Sequence, residues 1–239
     1  MRSDPGVMME VLWLEQRAEN VPESDDWFSS KEILRLAMLK IPKRRTDWRL
    51  GRWTAKCAVA VCLGMDCDPE SLSKIEIVAD ISGAPKAFVA GKAAGVTISL
   101  SHRARVGACA ATTSTAALGC DLELVEMRSE AFLKDYFTDQ EQVMLAGAGE
   151  DRMRLAAILW SAKESALKAL GEGMRMDTRS VSVTRIETGG EWSGLTASCD
   201  TGELFEGWWW EERGMVRTMV SAPATGKPIV LSRTERALT

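Results

Sequence analysis

Twice along the chain the spacing of apolar residues switches from a helical period to a strand period, and that double alternation constrains the fold most. The first round predicts a strand over 7–14 and a helix carrying Ile33, Leu34, Leu36, Ala37 and Leu39. Ser29-Ser30-Lys31-Glu32 ahead of that helix has the spacing of a capping box. A second helix over 44–63 offers Trp48, Leu50, Trp53, Ala58, Val61 and Cys62 to the core and stops at Gly64. A strand over 75–79, a turn over 82–86 and strands over 96–101, 106–112 and 117–124 complete the round. The second round has helices over 130–145 and 152–170, then strands over 181–186, 193–199, 203–211 and 215–222. The polar tail from Pro223 is expected to be loosely held. This order fits an α+β protein of two similar-sized lobes joined near 112–118, and no shorter repeat points to a solenoid.

The 239 residues are enough for one large domain or two small ones with a sizeable core. With 46% apolar and 27% charged residues, disordered, collagenous and disulfide-scaffold classes are poor fits. None of the six cysteines forms a C-x-x-C pair, so they read as small buried hydrophobes in a reducing cytosol. The apolar run Val7–Leu14 is too short and interrupted for a signal peptide or a membrane span, which predicts a cytoplasmic protein without membrane contact. A single histidine, His102, excludes sites that need two imidazoles and favours oxygen ligands for any metal.

The net charge of −4 hides an asymmetry: +2 over residues 1–118 and −6 over 119–239. Residues 31–56 hold nine Lys/Arg against Glu32 and Asp47, a local charge of +7. On a helix Arg45, Arg49, Arg52 and Lys56 share one side. A solvated helix face, a nucleic-acid footprint and a cradle for the phosphates of one nucleotide all fit that stripe.

Asp121 and Glu123, in Gly119-Cys120-Asp121-Leu122-Glu123, stand two residues apart on a strand and project from one face. Their repulsion is offset if a cation lies between them, although an outward-facing edge strand accounts for the fragment equally well. In Trp160-Ser161-Ala162-Lys163-Glu164-Ser165-Ala166-Leu167-Lys168, Trp160, Glu164 and Lys168 form one helical stripe. Glu164 to Lys168 reads either as a surface ion pair or as a third oxygen donor beside Asp121 and Glu123, with lysines left for phosphates. An all-oxygen set with few protein ligands suits magnesium. Ser99-Leu100-Ser101-His102 ends another strand among Arg103 and Arg105, where an anion would be well received.

Taken in order, Ser99-Leu-Ser-His102, Gly119-Cys-Asp-Leu-Glu123 and Trp160 through Lys168 resemble the two-lobed, Sfp-type 4′-phosphopantetheinyl transferases. Gly83-Ala84-Pro85, the helix with Arg52 and Lys56, and Phe137-Thr-Asp-Gln-Glu141 support the resemblance, which extends from about residue 40 to about 175. It implies a pseudo-twofold pair of α/β lobes, 1–115 and 116–239, acting as a monomeric pseudodimer. The implied reaction moves 4′-phosphopantetheine from coenzyme A to a serine of an apo acyl or peptidyl carrier protein and releases adenosine 3′,5′-bisphosphate. Fatty acid, polyketide and nonribosomal peptide carriers are all within its range.

Carried over residue by residue, Asp121, Glu123 and Glu164 would hold Mg²⁺ on the pyrophosphate, with Glu164 also taking the serine proton. Lys168 would neutralise the attacked phosphate with help from Lys163, and Ser101 and His102 would contact coenzyme A. Arg45, Arg52 and Lys56 are candidates for its 3′-phosphate, and Gly83, Pro85 and Lys86 for the adenine side. Arg103 stands where the family has Ser after the His, and Ala84 where its turn has Lys before Pro. The segment 128–153 is expected to dock the carrier, and Trp208-Trp209-Trp210 to pack the second lobe. Competing readings are a nucleic-acid-binding module using residues 31–56, and another Mg-dependent phosphotransferase. The second lacks the glycine-rich phosphate loops that such enzymes use.

Overall fold

Each change of apolar period becomes a change of element in the computed structural model, which describes residues 9–171 and 175–231. Its first part runs β1 (Leu12–Arg17), α1 (Ser30–Met38), α2 (Pro42–Cys62), α3 (Pro69–Ser73), β2 (Ile75–Ala79), β3 (Pro85–Val89) and β4 (Lys92–Ala93). The hairpin β5 (Thr97–Arg103) and β6 (Val106–Thr112) leads to β7 (Ala117–Leu124). The second part runs α4 (Glu130–Tyr136), α5 (Asp139–Gly147), α6 (Arg152–Ala169), β8 (Val181–Ile186), β9 (Ser193–Cys199), β10 (Leu204–Glu212), β11 (Met215–Ala222) and β12 (Ile229–Val230). No helix among the described residues is long and apolar enough to cross a membrane.

The strands form three sheets, ordered β12-β1-β6-β5, β7-β11-β10-β9-β8 and β2-β3-β4. One buried cluster gathers Leu36, Ala55, Val59, Ile75, Ile98 and Cys109 under α2, and another gathers Leu145, Leu159, Leu167, Val183, Phe205 and Val220 around α6. A third joins the two parts, with Val11, Trp13 and Ala108 against Leu118, Leu122 and Met219. Beside it β5 and β7 meet through side chains. The Ser99 hydroxyl accepts from Cys120 N–H at 2.9 Å, and the Ser101 hydroxyl from Leu122 N–H at 3.2 Å.

Both parts use the same buried fastening. Ser29 caps α1 in a box with Glu32, and Thr138 caps α5 in a box with Glu141. Glu32 accepts from Ile77 N–H at 3.2 Å and holds Lys56 Nζ at 2.5 Å, while Glu141 accepts from Val183 N–H at 2.9 Å and holds Lys163 Nζ at 2.7 Å. The lysines sit in matching runs, Trp53-Thr54-Ala55-Lys56 and Trp160-Ser161-Ala162-Lys163. Backbone carbonyls complete their coordination: Trp27 and Leu72 for Lys56, Val181 for Lys163.

Three expectations are corrected. The helix over 130–145 is two helices, because Phe137 is extended and Thr138 restarts the chain as an N-cap. The tail from Pro223 is ordered by β12, which pairs in parallel with β1 through Leu12 and Trp13, and 232–239 lie outside the described residues. The first strand begins at Leu12, and residues 7 and 8 of that expectation also lie outside. Short α3 and β3 carry too few residues to show a period.

Candidate active site

On β7, Asp121 and Glu123 face α6, where Trp160, Glu164 and Lys168 form the stripe turned toward them. Trp160 Nε1 donates to Glu123 Oε1 at 3.2 Å, and Lys168 Nζ donates to Asp121 Oδ1 at 2.7 Å and to the Cys120 carbonyl at 3.0 Å. Helix and strand come this close because residue 119 is glycine: a Cβ there would lie 1.7 Å from the Ser165 carbonyl oxygen. Lys168 Nζ is 3.9 Å from Glu164, so its principal partner is Asp121 rather than its neighbour one turn back.

Asp121 and Glu164 press together. Burial pushes the Glu164 carboxyl up to about 7, reinforced by the Asp121 carboxylate and by Glu123 and opposed by Lys168. Burial also raises Glu123, again with Asp121 behind it. Asp121 Oδ1 takes both Lys168 and the Ser101 hydroxyl (2.8 Å), which leaves Oδ2 buried without a partner. An orphaned carboxylate oxygen against a second crowded carboxyl is the donor set that suits a hard cation.

Glu123 is held differently. Arg128 Nη2 donates to its Oε2 at 2.9 Å, Arg103 Nε stands 3.6 Å away, and both arginines also reach Glu126. Among the described residues no three His, Cys, Asp or Glu side chains converge as a chelating group. The residues present therefore fit Mg²⁺ as an ion on Asp121 and Glu164 that draws other oxygens from phosphates and water. Neither Arg103 nor Arg128 was expected in this role. The clustering of like-charged Asp121 and Glu123 was the one signal that cations must stand nearby.

A cleft of about 300 Å³ opens beside these carboxylates. Lys168 and Gly171 stand at one side, the turn Ser82–Pro85 at another, and Arg52, Ser99, Leu100 and Leu118 between. Gly83 has φ of +88°, a conformation that glycine adopts freely. Arg52 lies over the Trp48 ring at 4.9 Å and 3.8 Å from Glu32, and its buried Nε has no hydrogen-bond partner. Burial lowers its pKa, with Glu32 opposing.

The structure brings Arg52, Gly83, Pro85, Ser101, Asp121, Glu123, Glu164 and Lys168 to this region and sends the other candidates elsewhere. Lys56 and Lys163 are fully buried in the two fastenings, and burial lowers the pKa of each. They are corrected from phosphate contacts to internal cations. Arg45 donates to the Leu36 carbonyl at 2.9 Å and lines a separate hollow with Arg49 and Asp25. Arg49 itself is held by Asp25 and the Pro22 carbonyl, so of the expected stripe only Arg52 faces the cleft. His102 is exposed, 3.7 Å from Asp47 on α2, and Lys86 is exposed, 4.0 Å from Asp80, and both stand outside the cleft walls.

Comparison with known proteins points to one chemistry. Residues 117–205, which include β7 and α6, match the model of the 4′-phosphopantetheinyl transferase superfamily. The chain is similar to the 4′-phosphopantetheinyl transferase HetI of Nostoc sp. (strain PCC 7120). The two are 24% identical over 194 residues, which cover 76% of this chain and 79% of that protein.

Proposed function

We infer that this chain is an enzyme of phosphopantetheinyl transfer, a reading supported by the superfamily match over residues 117–205 and by the similarity to HetI. We propose that it carries the 4′-phosphopantetheine arm of coenzyme A to a serine hydroxyl of an apo acyl or peptidyl carrier protein, with Mg²⁺ as its metal. The observation that carries this reading is the cleft that runs from Arg52 and the Gly83–Pro85 turn to Lys168, beside the Asp121–Glu164 pair. One end offers a cation and a turn to a nucleotide, the other a lysine and paired carboxylates to a pyrophosphate. The Sfp-type, two-lobed architecture and a monomeric state belong to the same reading, supported by the matching fastenings of the two parts.

Asp121 and Glu164 would hold Mg²⁺, which supplies charge neutralisation on the phosphate oxygens. The chain's own residues account for the rest. Arg52 meets the 3′-phosphate, and the Gly83–Pro85 turn lies along the adenine. Lys168, fixed on Asp121 Oδ1, keeps a positive charge at the attacked phosphate. Glu164 accepts the proton of the carrier serine as its oxygen bonds to phosphorus. The bond to the adenosine bisphosphate breaks, and Lys168 is placed to protonate that leaving oxygen. Positioning and charge therefore account for the catalysis, and no covalent enzyme intermediate is needed.

The test is direct. Incubated with coenzyme A, Mg²⁺ and apo carrier domains, the protein should add one phosphopantetheine mass to the carrier serine. Failure on fatty-acid, polyketide and peptide carriers alike would overturn the reading. Asp121→Asn and Glu164→Gln should each abolish transfer while the protein stays folded.

A further inference from the structure

We propose that Ser101 is a positioning residue for the Asp121 carboxylate and not a contact to coenzyme A. A hydroxyl has one proton to give, and that of Ser101 goes to Asp121 Oδ1 at 2.8 Å. The same oxygen accepts the Leu122 backbone N–H at 3.2 Å, so strand pairing between β5 and β7 holds the hydroxyl in place. No donor remains for a phosphate oxygen.

The consequence falls on the other carboxylate oxygen. A carboxylate on its own turns easily about its last torsion. Here Ser101 and Lys168 both donate to Oδ1, which fixes the rotation and leaves Oδ2 buried and unpartnered. Ser99, two residues earlier on the same face, makes the matching bond to Cys120 N–H at 2.9 Å but gives no hydrogen bond to Asp121. Both serines join the strands, and only Ser101 also orients the carboxylate. A residue of the first half of the chain thereby sets the geometry of a ligand carried by the second.

This inference rests on the reading that Asp121 holds a divalent cation. Its test is Mn²⁺ titration of the full chain without coenzyme A, read by electron paramagnetic resonance. Hydrogen bonds that orient metal ligands are typically worth about 10–100-fold in affinity, so Ser101→Ala should weaken Mn²⁺ binding about tenfold or more. Ser101→Thr, which keeps the hydroxyl on a β-branched strand residue, should restore binding to within about threefold of the wild type. Ser99→Ala should stay within about twofold, because it breaks a joint bond without touching the carboxylate.

Coenzyme A binding in EDTA should be the same for Ser101→Ala and the wild type. The inference is overturned if Ser101→Ala binds Mn²⁺ as the wild type does while Asp121→Asn does not, or if Ser101→Ala weakens coenzyme A binding in EDTA. If Asp121→Asn binds Mn²⁺ as tightly as the wild type, the metal reading falls and this inference falls with it.

Discussion

Lys163 lies in the run Trp160–Lys168 that carries the candidate site on α6, yet its ammonium is fully buried and bonded to Glu141 and the Val181 carbonyl. Lys163→Met keeps the length and apolar volume of the stem and removes the charge. Glu141 would then keep the N–H groups of Thr138 and Val183, both at 2.9 Å, but would be a buried anion without a cation. Breaking a buried pair this way costs about 3–5 kcal/mol. At roughly 2–4 °C per kcal/mol for a chain of this size, the melting temperature should fall by about 6–20 °C.

Glu141→Gln with Lys163→Met should regain part of that loss, because the amide oxygen still accepts from Val183 N–H and leaves no charge behind, while the bond from Thr138 N–H is given up. Differential scanning fluorimetry reads the stability, and steady-state kinetics at a permissive temperature read the site. The internal role requires the KM for coenzyme A to stay near that of the wild type. A Lys163→Met protein that melts within about 2 °C of the wild type while its KM rises severalfold would refute the reasoning and return Lys163 to the phosphate.

The remaining predictions concern the cleft and its frame. Arg52→Ala should raise the KM for coenzyme A about tenfold or more, the worth of a charge-assisted contact, and raise it far less for the analogue lacking the 3′-phosphate. Gly119→Ala should yield little folded protein, since its Cβ would lie 1.7 Å from the Ser165 carbonyl, whereas Gly147→Ala, with nothing within 4 Å, should be neutral or stabilising by about 0.5–1 kcal/mol. Glu164, at about 7 in the folded protein against an ordinary 4.5, keeps a proton that the unfolded chain loses first. Metal-free stability from this group therefore falls as pH rises from about 4.5 to about 7. Glu164→Gln in EDTA should accordingly melt above the wild type at pH 8, with the gap closing toward pH 4.5.

Strands were legible most directly where one face is buried, as in β9, whose alternate residues meet the core, whereas β7 and the middle of α6 are buried along almost every residue. The carboxylate face was legible nonetheless, since spacing alone aims Asp121 and Glu123 at one side. Partners brought by tertiary contact were not. Nothing in the order of residues says that Glu32 comes from α1 to take Lys56, or that Arg128 closes on Glu123. Of the cations read as a phosphate stripe, Lys56 is therefore internal and Arg45 and Arg49 line a separate hollow, which leaves Arg52 at the cleft.

A physical criterion separates the two kinds of cation without any other sequence, because the same buried fastening occurs twice in the chain. Trp53-Thr54-Ala55-Lys56 and Trp160-Ser161-Ala162-Lys163 match, and what they share is the fastening. Continuing at the same spacing, Cys57 stands against Glu164 and Val61 against Lys168. A residue present in both halves serves the packing that both halves need. The proposed chemistry falls where the two runs differ, at a carboxyl that burial pushes up to about 7 and a lysine that borders the cleft. By that criterion Lys56 and Lys163 are set aside together, and Glu164 and Lys168 remain as the residues proposed for catalysis.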